Sequence, residues 1–406
     1  MEVIAGKMVF GGDCIAENSG EKKIFIPYTI PGEKVEIEIE KDFKDYSIAK
    51  NLKIIEKSRY RTVPFCPYYG KCGGCNLQHI EPEFQRQLRV QTLKDAFFRE
   101  GIEVPQIQIV SGADKGYRAR FQLHNGGLME KKSNEIVQID QCPCATEEVN
   151  KYLKEIPFSE RPKGRIHIFG SKNIASIPDG FDKIVVAEQS EKKQIATKRC
   201  NGRKQKKAKA RYEGTSSESK NACTVNLLGK SITFDALGFF QSNLEVLEKS
   251  IPLITGGISG KNVLDMYSGA GTFSVFLADT FENVILVEHN KSAVVYAEQN
   301  LAGKKHKSFG VSGDVWVKYH AETCTKECGD FDAVVIDPPR SGMEKSVQKW
   351  LQNSQIPQIR SLSCDPSTHA RDAKALINSG YRLEKLFLLD FYPQTGHIES
   401  LGYFEK

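Results

Sequence analysis

No apolar run in this 406-residue sequence approaches the ~20 residues that a membrane-spanning helix needs, which argues against an integral membrane protein and a membrane partner. Met1-Glu2-Val3-Ile4-Ala5-Gly6-Lys7 lacks a basic start leading into a long apolar segment, so no secretory signal is read there and a cytoplasmic location is expected. No internal repeat is evident, and the length suits two or three domains, each with its own core. Acid is missing from residues 192–211, where ten lysines and arginines stand; without them the formal charge would be −4 instead of +6. The basic character is therefore local. It marks an insertion near 190–222 that either reaches for phosphates or only solubilises the chain, and the serine-rich stretch at 214–219 is expected to be mobile.

What is present begins with short strands at close spacing. Val35, Ile37 and Ile39 alternate with Glu36, Glu38 and Glu40, the pattern of a half-buried strand. Pro31-Gly32 and Gly11-Gly12 break the strands around it. About five strands over residues 1–57 predict a small barrel of the OB type, a frequent nucleic-acid platform.

Eleven cysteines in a chain with no export signal read as thiols, metal ligands or catalytic groups, not as a disulfide scaffold. Cys66, Cys72 and Cys75 stand at C-x5-C-x2-C among glycines that let backbone fold tightly around an inorganic core. Cys142, in Gln141-Cys142-Pro143-Cys144, is the best fourth ligand, with Cys144 as its stand-in. Four thiolates suit an iron–sulfur cluster and zinc alike. A radical enzyme is disfavoured, because that chemistry keeps one iron free of protein ligands and here a fourth cysteine is at hand. Further on, Phe84, Leu88 and Phe97 mark an amphipathic helix ending near Arg99-Glu100-Gly101, and Arg118 and Arg120 share one face of a strand. Residues 58–235 are assigned to this central α+β domain.

From residue 236 the pattern becomes strand, glycine turn, helix, as in an α/β domain of Rossmann type. Lys261–Tyr267 is a buried strand and Gly269-x-Gly271 the turn after it, but position 274 is serine, so the third glycine of a dinucleotide site is missing. S-adenosylmethionine has no pyrophosphate and can dispense with that glycine. Glu288 ends the next strand seventeen residues after Gly271, where a carboxylate meets ribose hydroxyls. Asp337-Pro338-Pro339 forms a rigid loop whose polar groups can face the edge of a flat base. Cys364, in Ser363-Cys364-Asp365-Pro366, falls at a strand-to-loop transition, where such sheets place their chemistry. Taken alone it would be a small buried hydrophobe.

These motifs together resemble the iron–sulfur family of RNA uracil-5 methyltransferases, in particular the bacterial 23S ribosomal RNA enzymes, over essentially the whole chain. The match runs through the Cys66–Cys75 cluster, Phe239-Phe240-Gln241-Ser242-Asn243 and Asp265-Met266-Tyr267-Ser268-Gly269-Ala270-Gly271-Thr272-Phe273. It continues through Asp337-Pro338-Pro339-Arg340, Ser363-Cys364-Asp365-Pro366 and His397-Ile398-Glu399-Ser400. The resemblance implies a TRAM barrel at 1–57, an iron–sulfur and RNA-binding domain at 58–235 and an S-adenosylmethionine-dependent methyltransferase domain at 236–406. It implies Cys364 as nucleophile, Glu399 as general base, and Gln241, Tyr267, Gly269, Thr272, Glu288, Asp314 and Asp337 as cofactor-binding residues. It also implies a 4Fe–4S cluster on Cys66, Cys72, Cys75 and Cys142.

Two departures stand out. Asp365 replaces the usual asparagine, and an ionised carboxylate beside the thiol would oppose thiolate formation; Ser268 replaces a frequent cysteine. The expected partner is RNA carrying a flipped-out uridine, with no protein partner and a monomeric chain. Transfer RNA as substrate, cytosine-5 methylation and a non-catalytic RNA-binding module are the alternatives.

Overall fold

The computed structural model describes residues 1–17, 22–177, 183–188 and 221–406. The basic tract at 192–211 and the stretch at 214–219 lie outside the described residues. Among the described residues, no helix is long and apolar enough to cross a membrane.

The chain opens with β1 (Glu2–Met8), β2 (Cys14–Ala16), β3 (Lys23–Ile26), β4 (Lys34–Asp42) and β5 (Tyr46–Glu56). They close into a barrel in the order β1-β2-β3-β5-β4. Val35 and Ile37 of β4 turn inward and are buried, whereas Ile39, expected on the same face, is 38% exposed. The pairing of β4 with β5 runs unbroken from Ile37 through Ile39 and shifts just after it, before Lys41, so Ile39 stands at the end of the regular ladder. On the wet face Glu36 stands opposite Lys53 and Glu38 opposite Lys50. Under the barrel the buried Glu33 carboxylate accepts from Arg61 Nε at 2.5 Å and Nη2 at 2.6 Å, and from the N–H groups of Ile30 and Ser58.

Next come α1 (Pro82–Arg99) and β6 (Gln108–Val110), then β7 (Arg120–His124), β8 (Leu128–Met129), β9 (Ile136–Val137), α2 (Glu147–Glu155), β10 (Arg165–Gly170), β11 (Ile174–Ser176), β12 (Ile184–Glu188), β13 (Ala222–Leu227) and β14 (Lys230–Asp235). Two three-stranded sheets, β12-β10-β7 and β11-β13-β14, make this part α+β. Val149 and Leu153 of α2 pack on the first of them.

The remainder is α3 (Leu244–Thr255), β15 (Gly260–Met266), α4 (Thr272–Leu277), β16 (Phe281–Val287), α5 (Lys291–Asn300), β17 (His306–Phe309), α6 (Gly313–Tyr319), α7 (Ala321–Cys328), β18 (Ala333–Ile336), α8 (Lys345–Asn353), β19 (Gln358–Ser363), α9 (Pro366–Ile377), β20 (Arg382–Leu389) and β21 (Glu399–Glu405). The sheet order is β17-β16-β15-β18-β19-β21-β20-β6. Only β21 runs antiparallel to its neighbours. Val263–Met266 and all of β18 are buried, and apolar cores lie on both faces, which is why these strands read as unbroken apolar runs.

The segment 82–110, read from sequence as central, joins the C-terminal sheet. β6 pairs in parallel with β20 at the sheet edge. Leu93, Ala96 and Phe97 of α1 share a core with Leu386, Leu388 and Phe404. Helical spacing marks the apolar face of α1, but not the element it packs against.

A different flank of α1 buries polar groups. The Asp390 carboxylate, fully buried just past β20, accepts from Arg89 Nη1 at 2.7 Å and from Arg86 Nε at 3.0 Å. Gln85 donates to Gln394 Oε1 at 2.9 Å and accepts from Gln394 N at 3.0 Å. Gly396 N donates to Asn76 Oδ1 at 2.9 Å, and Gly11 N donates to Gly396 O at 3.3 Å. A Cβ at Gly396 would lie 2.3 Å from the Gly11 backbone carbon, so barrel and loop meet with no side chain between them. The loop 390–397, which leads into β21, is thus held by α1, the segment after the cysteines and the barrel. Removing one partner of a buried ion pair leaves the other charge uncompensated. Asp390→Ala should therefore cost about 3–5 kcal/mol, read as a lower urea midpoint at unchanged m-value.

Candidate active site

Four parallel strands each deliver a polar side chain one residue past their last position: Tyr267 after β15, Glu288 after β16, Asp337 after β18 and Cys364 after β19. These residues line one cavity of about 760 Å³ at the carboxyl edge of the sheet, together with Gln241, Gly269 and Glu399. Crevices at that edge are where open α/β sheets bind ligands.

The turn after β15 is unusual in backbone conformation. Tyr267, Gly269 and Gly271 have φ of 66°, 56° and 76°, a region that costs a non-glycine residue about 1–2 kcal/mol. Tyr267 and Ser268 both donate their N–H to Val287 O, which holds the turn against β16. Ser274, where a third glycine would stand, is buried and donates to Asp265 Oδ2 at 2.5 Å. Burial raises the Asp265 carboxyl to about 7. Glu288 accepts from Gly269 N at 3.0 Å through one oxygen and from Asn290 N at 2.6 Å through the other. The Gln241 Oε1 atom is buried in the wall without a hydrogen-bond partner, an acceptor ready for a ligand donor.

Two expected cofactor residues do not line this cavity. Thr272 is the first residue of α4 and stays outside the wall. Asp314 is exposed and hydrogen-bonds Ser346. The reason is local: Ser312 caps α6 by accepting from Val315 N, which turns Asp314 outward and brings Ser312 and Gly313 to the wall instead. A Cβ at Gly313 would come within 2.6 Å of Glu344 Oε2 and 3.1 Å of the Tyr267 hydroxyl. That hydroxyl donates to Glu344, a residue with no sequence signal that marked it. Arg118, Arg340, Tyr392 and His397 complete the polar wall.

Cys364 and Glu399 flank the paired residues Ser363 and Ser400 of β19 and β21, one just past each of them. Both are partly buried. Burial pushes the Cys364 thiol up to about 12, with Glu399 and Asp337 adding to the shift and the Arg340 guanidinium opposing it. Glu399 is raised to about 8 by burial and by Asp337. Asp337 in turn is raised to about 7, again chiefly by burial and then by Glu288. Asp365 turns away from this cluster. Its Oδ1 accepts from Ser367 N at 2.9 Å and Thr368 N at 3.1 Å as the N-cap of α9. Aspartate and asparagine cap helices about equally well, which accounts for the exchange at this position. The carboxylates that oppose the thiolate are Glu399 and Asp337.

A second cavity, of about 360 Å³, is lined by Cys66, Cys72, Cys75, Cys142 and Cys144. Gly74 N donates to Cys72 Sγ at 3.4 Å, and the sulfurs of Cys75 and Cys144 are 3.8 Å apart. The Cys144 thiol is pushed up by its hydrogen bonds to Cys142 and Cys75, and holds both of those down. Among the described residues, no three His, Cys, Asp or Glu side chains converge as ligands of one metal ion. The expected centre is therefore a ring of thiols around a cavity and not a formed ligand set. Thiols around a cavity are the donor chemistry that both zinc and iron–sulfur clusters take. Arg118 lines both cavities.

Comparison with known proteins agrees with this geometry. Residues 324–406 match the model for tRNA (uracil-5-)-methyltransferases and residues 15–59 the TRAM-domain model of tRNA (uracil(54)-C(5))-methyltransferases. Residues 260–364 match the model for RNA cap guanine-N2 methyltransferases. An "uncharacterized RNA methyltransferase" of Treponema denticola is 38% identical, with 98% of each chain covered. The 23S rRNA (uracil(1939)-C(5))-methyltransferase RlmD of Shewanella amazonensis is 30% identical over 97% of this chain and 93% of its own. In fold, the crystal structure of Pyrococcus abyssi tRNA (uracil-54, C5)-methyltransferase with S-adenosyl-L-homocysteine superposes with a TM-score of 0.72 at 23% identity, covering both chains fully. With a TRAM barrel, a methyltransferase sheet and near full-length relatives of this kind, the chain belongs to the family of S-adenosylmethionine-dependent RNA uracil-5 methyltransferases.

Proposed function

We propose that this protein methylates carbon 5 of a uridine in 23S ribosomal RNA through a covalent adduct with Cys364. The observation that carries the adduct is the position of Cys364 and Glu399 on adjacent strands, facing one cavity with the cofactor residues. The ribosomal target is supported by full-length similarity to the 23S enzyme. The transfer-RNA models matched at both ends of the chain favour the second reading, a transfer-RNA uridine. Loss of 5-methyluridine from one 23S position in cells lacking the protein is the expected result. Loss from transfer RNA alone would establish the second reading instead.

S-adenosylmethionine supplies the methyl group as a sulfonium. Gln241, Tyr267, Glu288 and Asp337 are proposed to hold it. Burial raises Asp337 to about 7 and Glu399 to about 8, and a sulfonium bound beside them would favour their ionised forms, which readies Glu399 as a base. Carbon 5 of uracil is a weak nucleophile. Attack of the Cys364 thiolate at carbon 6 forms the S–C6 bond and moves the electron pair toward carbon 5, which then takes the methyl as its bond to the sulfonium sulfur breaks and the neutral thioether leaves. Glu399 removes the remaining proton from carbon 5; the electrons restore the 5,6 double bond as the S–C6 bond breaks and the thiolate leaves. Resting Cys364 is protonated; its proton passes to solvent in the cavity before attack, and Arg340 is assigned the task of lowering the cost of that ionisation. Cys364→Ala should abolish both transfer and a denaturation-resistant RNA adduct while still binding S-adenosylmethionine. Glu399→Gln should lower kcat by roughly 10²–10⁴ and accumulate the adduct; normal turnover by this variant would remove the base assignment.

The second cavity is proposed as the site of a 4Fe–4S cluster on Cys66, Cys72, Cys75 and Cys142, with Cys144 as the hydrogen-bonding fifth thiol. No step of the reaction runs through it. Anaerobically purified protein should contain iron and acid-labile sulfide in equal amounts with broad visible absorbance, all lost in Cys72→Ser. Zinc without sulfide would exclude the cluster.

A further inference from the structure

We infer that His369, outside the cavity, is a positioning residue that sets Cys364 against Glu399. The inference rests on reading those two residues as nucleophile and base. His369 lies on α9, 1% exposed, with Nδ1 2.7 Å from Ser400 Oγ. Ser400 Oγ donates to Ser363 O at 3.4 Å. Ser363 and Ser400 are paired in register, and their side chains are buried. Successive side chains in a strand point to opposite faces, so these serines face α9 while Cys364 and Glu399 face the cavity.

We place the ring proton on Nδ1. Ser400, whose hydroxyl has one hydrogen, then accepts from His369 at 2.7 Å and gives that hydrogen to the Ser363 carbonyl at 3.4 Å. The relay runs from His369 Nδ1–H to Ser400 O–H to Ser363 C=O, and crosses between the two strands next to the residues they present. Ser363 secures the far side: its Oγ accepts from Asp365 N at 3.2 Å and donates to Asp365 O at 3.0 Å, bracing the turn that carries Cys364.

The opposite edge of the imidazole has no such use. Nε2 is buried without a partner, a Cβ at Gly402 would stand 3.3 Å from it, and the Phe97 ring meets it edge-on at 5.4 Å. An apolar ring would suit that pocket better, since burying an unpaired polar atom is costly. Burial drives the imidazole pKa down to about 4, so the ring stays neutral near neutral pH. What the histidine adds over phenylalanine is the Nδ1–H donor.

The test compares His369→Phe, which keeps the ring and loses the donor, with His369→Asn, which places an N–H at the Nδ1 position. Methyl transfer is measured with S-adenosylmethionine and total RNA from cells lacking the protein, alongside thermal melting. His369→Phe should lower kcat at least tenfold, because small misplacements of reacting groups are costly. Its KM for S-adenosylmethionine should stay within about twofold and its melting temperature should not fall. His369→Asn should recover most of the rate despite being the less stable variant. A wild-type rate for His369→Phe, or an asparagine variant no faster than the phenylalanine one, overturns the inference. A Cys364→Ala protein that still methylates would instead remove the reading on which it rests, and that failure appears in a different variant.

Discussion

The buried carboxylate of Asp390 is the constraint on which the site depends. It stands fully buried where β20 ends, and its charge is met by Arg89 and Arg86 of a helix about 300 residues earlier. An unpaired charge there would be prohibitive, so the chain past Asp390 can take its place only when α1 is docked. Everything downstream inherits that condition. Gln394 hydrogen-bonds Gln85, Gly396 reaches Asn76, and β21 then enters the sheet between β19 and β20 carrying Glu399. Early sequence thereby sets the position of the late carboxylate, and the fold and the site cannot be separated into independent pieces.

Within the cavity the electrostatics oppose ionisation of the Cys364 thiol. Asp337 and Glu399 both push the Cys364 thiol up, and each is itself pushed up by burial. Such a pocket holds protons at rest, and a positive charge that enters it favours their release. A sulfonium donor and the guanidinium of Arg340 both supply positive charge, and the proton held by Glu399 is available for exchange near neutral pH. Perturbed carboxylates gathered around a thiol in a cleft are the pattern expected where acid–base and nucleophilic chemistry share one site.

How legible was this in the sequence? Positions set by local pattern are legible. Cys364 ends a strand ahead of a proline, Glu288 follows the glycine turn at ribose-binding spacing, and the barrel strands alternate. Residues that act through distant contacts are not. Nothing near Arg89 announces Asp390, helical spacing in α1 does not name β20 as its neighbour, and Glu344 meets Tyr267 across 77 positions. Asp314 faces away from the cavity for a smaller reason: the cap at Ser312 sets the first turn of α6, a detail of backbone direction that spacing does not encode. Asp365 was the reverse case. Its charge suggested interference with the thiol, while its role as a helix cap turned that charge elsewhere.

The contact between Gly11 and Gly396 has one more consequence. Backbone touches backbone there, with no room for a methyl group at position 396. Even alanine at that position would push the loop that leads into β21 away from the barrel, and with it the Asn76 amide that bridges Gly11 O and Gly396 N.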